Sequence, residues 1–93
     1  MIVSFRGKTV EQVAAGNAPK GFPANLVATA ERKLRAIDHA LELLDLRSPP
    51  GNRLEALKGG RTGQHSIRIN DQWRICFRWT DVGAEDVEIV DYH

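Results

Sequence analysis

Hydrophobic and polar positions alternate most regularly over residues 66–79, and this alternation predicts a β-hairpin. Branched and aromatic residues occupy every second position on both sides of a polar centre, as in strands that bury one face. The centre, residues 70–72, has the composition of a turn. Because the apolar faces of the two strands must point the same way, Ile69 is expected to pair with Trp73.

The same register places Arg68 directly opposite Arg74 on the other, open face of the hairpin. Like charges in such positions cost about 0.2–1 kcal/mol of stability. An anion bound by both guanidiniums would explain the pair, and two splayed, solvated arginines would explain it as well. The residues alone leave both interpretations open.

Periodicity and turn residues predict the elements that precede the hairpin. Residues 2–5 form a short opening strand. A short helix is expected to begin with a capping box at Thr9 and Gln12 and to end near Gly16. The longest periodic segment carries apolar residues at steps of three and four, and it predicts a helix from about residue 24 to residue 45.

A loop and a last strand complete the predicted fold. Residues 53–65 are expected to form a loop that Leu54 and Leu57 attach to the core, and residues 86–92 a final strand. The order β-α-α-β-β-β predicts an α+β fold, a small, largely antiparallel sheet packed on one face by two helices. A chain of 93 residues suits a single domain over residues 1–93.

The register of the last strand is predicted from matching apolar faces. One such register places Arg74 opposite Tyr92 and Arg78 opposite Glu88 on the open face. Arg68, Arg74 and Tyr92 would then form one row along the sheet. We expect this row to be the functional surface.

Cysteine usage and hydropathy indicate where the protein works. No apolar run approaches the roughly 18 residues that span a membrane, and the first residues lack the pattern of a signal peptide. Cys76 is the single cysteine, so it cannot form an internal disulfide and fits a reducing compartment. We therefore expect a cytoplasmic protein with no membrane association.

Charge is distributed unevenly although the net charge is only +1. Residues 47–79 carry seven basic and two acidic side chains, whereas residues 80–93 carry five acidic side chains and no lysine or arginine. A basic block of this kind suits a polyanion such as RNA. A solvated surface whose charge is neutralised by the C-terminal acids is the alternative interpretation.

The predicted open face has the chemistry to break a phosphodiester. It comprises Arg68, Arg74 and Tyr92, with Lys58 and His93 at its edges. Two guanidiniums can bind a phosphate and stabilise the extra charge of a phosphorane, and a histidine titrates near neutral pH. RNA carries its own nucleophile, the 2′-OH, so neither a metal nor another cofactor is expected. A frayed terminus or a tag remnant would explain His93 equally well.

Three stretches of the chain, Arg53–Gly59, the block Ser66–Phe77 and the ending Asp91–His93, carry a resemblance to a known family. They resemble the HigB toxins and their GraT relatives in the RelE-like superfamily, and the similarity runs essentially end to end. The resemblance implies a RelE-like fold and a ribosome-dependent mRNA endonuclease, an mRNA interferase that cuts in the ribosomal A site. It also implies a HigA-type helix-turn-helix antitoxin, through which the complex would bind operator DNA and repress its own operon.

The resemblance also implies site residues by position. Lys58 and Arg74 would bind or stabilise the scissile phosphate. Asp91, Tyr92 and His93 would form a C-terminal active-site trio, with His93 as the general acid or base.

Four further candidates complete the predicted site. Arg53, Arg61 and Arg68 are expected to bind RNA or phosphate, Arg68 because of its position across the strand from Arg74. Glu55 stands where some family members have a histidine. Either Glu55 replaces that histidine as a base or the activity is weaker, and the sequence does not decide between them.

Two other functions are compatible with the same fold and basic surface. One is a catalytically weak module that binds RNA or the ribosome. The other is a co-repressor without nuclease activity that acts only through the antitoxin.

Overall fold

A four-stranded antiparallel sheet forms the centre of the computed structural model, which describes residues 1–92. Its strands lie in the order β1-β2-β3-β4, and they comprise Glu55–Ala56, His65–Arg68, Trp73–Trp79 and Ala84–Asp91 respectively. The predicted hairpin is confirmed as β2 and β3, with Arg68 opposite Arg74. The backbone N–H of Ile69 donates to the Trp73 carbonyl over 2.9 Å.

The register between β3 and β4 differs from the prediction by two residues at Arg74 and by three at Arg78, because a β-bulge lies between Cys76 and Arg78. Arg74 lies opposite Val90 rather than Tyr92, and Arg78 lies opposite Glu85 rather than Glu88. The cause is a tight turn, in which the N–H of Thr80 donates to the carbonyl of Gly83. Because of this turn, β4 begins at Ala84. At Arg74 the shift of two positions keeps the side chains on their predicted faces, and the β-bulge accounts for the additional residue at Arg78.

The opening segment pairs with the outer edge of β4. Ile2 and Phe5 form isolated parallel bridges with Ala84 and Val87, so the predicted strand is present only as two short contacts. Gly83 makes this approach possible, because a Cβ at that position would lie 2.2 Å from the Met1 carbonyl oxygen.

The first helix, α1, spans Lys8–Ala14 and begins one residue before the predicted cap. Gly7, with φ at +92°, occupies the N-cap position, and no side chain bonds to the free N–H groups there. The predicted capping box at Thr9 and Gln12 is therefore wrong, since Thr9 lies inside the first turn. Gly16 follows the helix with φ at +86°, the left-handed conformation expected after a C-terminus.

The second helix, α2, spans Val27–His39 and ends six residues before the predicted boundary. Ala40 has extended backbone angles, and a separate 3₁₀ turn follows over Leu43–Arg47. The carboxylate of Asp45 stabilises this break by accepting the N–H groups of Leu41 and Glu42, both over 3.0 Å. Leucine spacing alone carries no sign of such a cap.

Both helices pack on one face of the sheet and enclose the core between them. Phe22 meets Trp73 edge to face, with ring centroids 4.9 Å apart, and closes one end of the core. Leu57 is buried, as predicted, and Leu54 packs partly against the core. The largest buried side chains come from α1, α2, the 3₁₀ turn and the sheet: Val10, Ile37, Leu46, Ile67, Ile75, Phe77 and Val87.

No helix within residues 1–92 is both long enough and apolar enough to cross a membrane.

Leu41 and Leu46 distinguish the predicted longer helix from the observed one, which ends at His39. Leu46 is 2% exposed and Leu41 is 90% exposed. We expect Leu46→Ala to lower the free energy of unfolding by about 2–5 kcal/mol, because it leaves a cavity. Leu41→Ala should change it by no more than about 0.5 kcal/mol. Urea titration of the two variants measures both values, and equal losses would contradict the observed end of α2.

Candidate active site around Arg74

The open face of the sheet brings Arg74 together with two residues from neighbouring strands. Ser66 on β2 lies opposite Cys76 on β3, and Glu55 on β1 lies opposite Ser66. Since side chains alternate between faces, Glu55, Ser66 and Arg74 all belong to the face that the helices leave uncovered.

The guanidinium of Arg74 is held by hydrogen bonds on one side and by an aromatic ring on the other. Its Nη1 donates to Ser66 Oγ over 2.6 Å and to the Arg53 carbonyl over 3.4 Å. Its Nη2 donates to Glu55 Oε1 over 3.1 Å. Its Cζ lies 5.7 Å from the centroid of the Tyr92 ring, which is a cation–π contact.

Arg74 is therefore largely buried, although the sequence predicted that it lies on an open face of the sheet. Its side chain is only 10% exposed, whereas that of its partner Glu55 is 53% exposed. The cause is β1, a two-residue strand that the sequence analysis placed in a loop. A strand this short produces no readable alternation, because its pattern covers only Glu55 and Ala56.

The paired arginines on adjacent strands are compensated by separate carboxylates. Arg68 forms an ion pair with Asp71 in the hairpin turn, and Arg74 forms one with Glu55. The sequence offered two interpretations of this pair, a bound anion or two splayed arginines, and the structure shows a third, in which each arginine has its own carboxylate partner. Internal acids offset the repulsion in the free protein.

The side chains of the remaining basic candidates do not bond to this group. Lys58 and the side chain of Arg53 are exposed, and within residues 1–92 neither side chain makes a hydrogen bond or an ion pair. Arg61 donates to Gln64 and to Glu88, both over 3.1 Å. The hydrogen bond to Glu88 is the main cause that raises the pKa of Arg61 above its ordinary value.

The end of β4 brings the C-terminal candidates to the same region. The Tyr92 N–H donates to the Gln72 carbonyl over 2.6 Å, and Gln72 Nε2 donates to an Asp91 carboxylate oxygen over 3.2 Å. These contacts hold the strand end against the hairpin turn while Tyr92 faces Arg74. His93 lies outside the described residues, so its role stays a prediction.

Ser66 and Gln72 are site residues that sequence reasoning missed. Ser66 has no exposed surface, and its hydroxyl fixes one arm of the guanidinium. Its position two residues before Arg68, on the polar side of the hairpin, was the available signal. Gln72 was assigned only to the turn, and nothing in its local sequence indicates a bond to β4.

A metal centre is not evident in the described part of the chain. No group of three or more His, Cys, Asp or Glu side chains within residues 1–92 could hold a metal ion. Metal-free chemistry stays a prediction.

Family comparison decides which kind of protein carries this site. A family model described as a RelE-like toxin of the type II toxin–antitoxin system HigB matches residues 3–93. The chain belongs to the HigB-like toxin family. This toxin is 39% identical over 82 residues to Toxin HigB-1 of Vibrio cholerae, covering 87% of this chain and 86% of that protein. It is 34% identical to Endoribonuclease HigB of Proteus vulgaris over 93 residues, the whole of both chains.

A solved structure shows the same fold. The YoeB–YefM complex from Staphylococcus aureus contains a chain that matches with a TM-score of 0.64 and 22% identity, over 100% of this toxin and 95% of that chain. The predicted RelE-like α+β fold and the predicted HigB-type toxin are both confirmed. The family also gives the toxin an antitoxin partner, and the name of the Proteus protein supports the predicted ribonuclease activity.

Cys76 lies beside the site, opposite Ser66, and is fully buried. Burial is the main cause that raises the pKa of its thiol above the ordinary value. Because the thiolate is the nucleophile, we expect the native toxin to resist alkylation by iodoacetamide at neutral pH. The same protein in guanidinium chloride should react at the rate of a free cysteine. Mass spectrometry over time measures both rates, and rapid labelling of the native toxin would show that this part of the sheet opens.

Proposed function

We propose that this toxin is an endoribonuclease that cuts messenger RNA in the ribosomal A site, with Arg74 binding the scissile phosphate. The observation that carries the proposal is the buried guanidinium between Ser66, Glu55 and the Tyr92 ring. The relative named Endoribonuclease HigB, which matches over its full length, supports the same reaction class.

Arg74 suits a phosphate because its surroundings are already organised for an anion. A guanidinium has five N–H donors, and the partners seen in the free toxin use three. Glu55 is the partner most open to solvent, with its side chain 53% exposed, so its carboxylate can turn towards water when another anion approaches Arg74. A phosphodiester can therefore take its place and accept two hydrogen bonds from Arg74.

The displaced Glu55 is then a free carboxylate next to the bound phosphate. In the reaction we propose, the 2′ oxygen attacks the adjacent phosphorus and the bond to the 5′ oxygen breaks. A base removes the proton of the 2′-OH, and an acid protonates the leaving 5′ oxygen. Glu55 is our candidate for the base and His93 for the acid.

The other predicted residues support this step. Lys58 supplies a second positive charge for the phosphorane, and Tyr92 stacks on a base of the message. Asp91 holds the end of β4 through Gln72, so that Tyr92 faces Arg74. Arg53, Arg61 and Arg68 bind flanking phosphates.

The partners follow from the same proposal. The antitoxin is of the HigA type, a helix-turn-helix protein through which the complex binds operator DNA. Cleavage on the ribosome places the free toxin in the cytoplasm.

Glu55→Gln separates RNA binding from cleavage. The amide removes the charge that the phosphate must displace, so we expect tighter binding to ribosomes programmed with a 2′-O-methyl message. It also removes the base, so cleavage of an ordinary message should slow by about 100-fold or more. Filter binding and primer extension measure the two effects. Unchanged affinity together with unchanged cleavage would rule out Glu55 as an exchangeable base.

Arg74→Lys tests the phosphate-binding role. Lysine keeps the charge but cannot donate two parallel hydrogen bonds to one phosphate, so we expect cleavage to fall by about 100- to 1,000-fold. Arg78→Lys is the matched control on the same strand and should cut within about twofold of the wild type. Circular dichroism and antitoxin binding confirm that each variant is folded.

Expression without antitoxin distinguishes the alternative functions. Growth arrest with A-site cuts, abolished by His93→Ala or Arg74→Lys, supports the endoribonuclease. Arrest that survives both substitutions, with no cuts, supports a module that only binds. A co-repressor would cause no arrest and would change only the repression of its operon.

A further inference from the structure

Lys33, in the middle of α2, is fixed in place by a neutral partner. Its Nζ donates to the side-chain oxygen of Asn52. Asn52 is fully buried, and its Nδ2 donates to the carbonyls of Leu46 and Ser48 over 3.1 Å and 3.2 Å. The amide is therefore held in one orientation, and it fixes the position of the ammonium group.

The charge of Lys33 has no acid to offset it. No carboxylate within residues 1–92 forms an ion pair with Lys33, which is half-buried. Burial, together with the positive charges of Arg32 and Arg68, lowers the pKa of Lys33 from its ordinary value. Arg68 forms an ion pair with Asp71, whose side chain is 97% exposed. An anion beside Lys33 would supply the opposite charge that this ammonium group does not receive from residues 1–92.

This group of cations adjoins the Arg74 site through two separate connections. Asn52 accepts from Lys33, and the next residue, Arg53, offers its carbonyl to Arg74 over 3.4 Å. On the sheet, Arg68 lies directly opposite Arg74. An anion beside Lys33 and Arg68 would therefore be a neighbour of the anion on Arg74.

We propose that Lys33 and Arg68 form a second subsite, which binds an RNA phosphate next to the scissile one. The subsite rests on the proposed cleavage at Arg74 and extends it to the flanking strand. RNA suits it because phosphates recur at regular intervals along a backbone, so one strand can reach both positions. The phosphate comes from the message or from ribosomal RNA, which present the same chemistry.

The decisive variant is Lys33→Gln, which removes the charge and keeps a donor for Asn52. Lys33→Arg restores the charge. Arg35→Gln is the matched control, since Arg35 lies on the same helix, is well exposed and pairs with Glu31. The probe is a ribosome programmed with a 2′-O-methyl message, and the affinity of each toxin variant is measured over a range of salt concentrations.

We expect Lys33→Gln to weaken binding about tenfold at low salt. The slope of log affinity against log salt should fall by about 0.7, the change for one lost contact to a single strand. The cleavage rate at saturating toxin should stay within twofold of the wild type, the melting temperature should not fall, and Lys33→Arg should recover the affinity. Wild-type affinity and slope in Lys33→Gln would overturn the subsite. A lower melting temperature with a proportionate loss of activity would overturn it too, because Lys33 would then be structural.

Two further comparisons distinguish the source of the phosphate, message or ribosomal RNA, and distinguish the subsite from the proposed cleavage at Arg74. If the message supplies the phosphate, the effect of Lys33→Gln disappears on vacant ribosomes; if ribosomal RNA supplies it, the effect persists. A normal cleavage rate in Arg74→Lys would refute the proposed function while leaving the loss of affinity in Lys33→Gln as evidence for the subsite.

Discussion

The burial of one guanidinium on the open face of the sheet is the constraint on which the site depends. An arginine can be withdrawn from water only if its donors find acceptors, because a buried charge without partners costs several kcal/mol. Here the acceptors come from three places in the chain: the Ser66 hydroxyl, the Arg53 carbonyl and the Glu55 carboxylate. The loop before β2 is folded back as β1 to supply two of them. That loop is therefore part of the site rather than a connection.

Sequence reasoning predicted the parts of the fold in which one pattern dominates. The hairpin register followed from parity, because a slip of one residue would have moved the apolar side chains of one strand, either Ile67 or Ile75, into water. The end of α2 could not be predicted, since Leu41 and Leu44 continue the helical spacing although the backbone has already left the helix. The break depends on the carboxylate of Asp45 accepting two N–H groups, a contact that hydrophobic spacing does not encode.

The site was predicted in composition but not in geometry. Charge and resemblance selected Arg74, Tyr92 and Glu55, and Arg74 contacts both of the others. Tyr92 reaches Arg74 even though the register is shifted by two residues, because the shift preserves the face and the ring lies diagonally to the guanidinium. Ser66 was missed because a small polar residue on a strand has no distinctive signal. Its importance appears only when β1 pairs with β2 and brings Glu55 to the same guanidinium.

The site combines a guanidinium in a fixed orientation, that of Arg74, with an exchangeable carboxylate partner, that of Glu55. Ser66 and the Arg53 carbonyl are internal and hold the guanidinium in one orientation, while Glu55 reaches it from a half-exposed position. An entering phosphate would thus find the cation already oriented and would replace only the carboxylate. This pre-organisation lowers the cost of binding in the reacting geometry, which is the main contribution a protein can make to phosphoryl chemistry without a covalent step.

The most direct measurement is a structure of the toxin on a ribosome programmed with a 2′-O-methyl message, which binds but cannot react. The account predicts a message phosphate within hydrogen-bonding distance of the Arg74 guanidinium, Ser66 still in contact, and Glu55 turned away towards the 2′ oxygen. A message whose phosphates all lie elsewhere, with the ion pair between Arg74 and Glu55 intact, would contradict it.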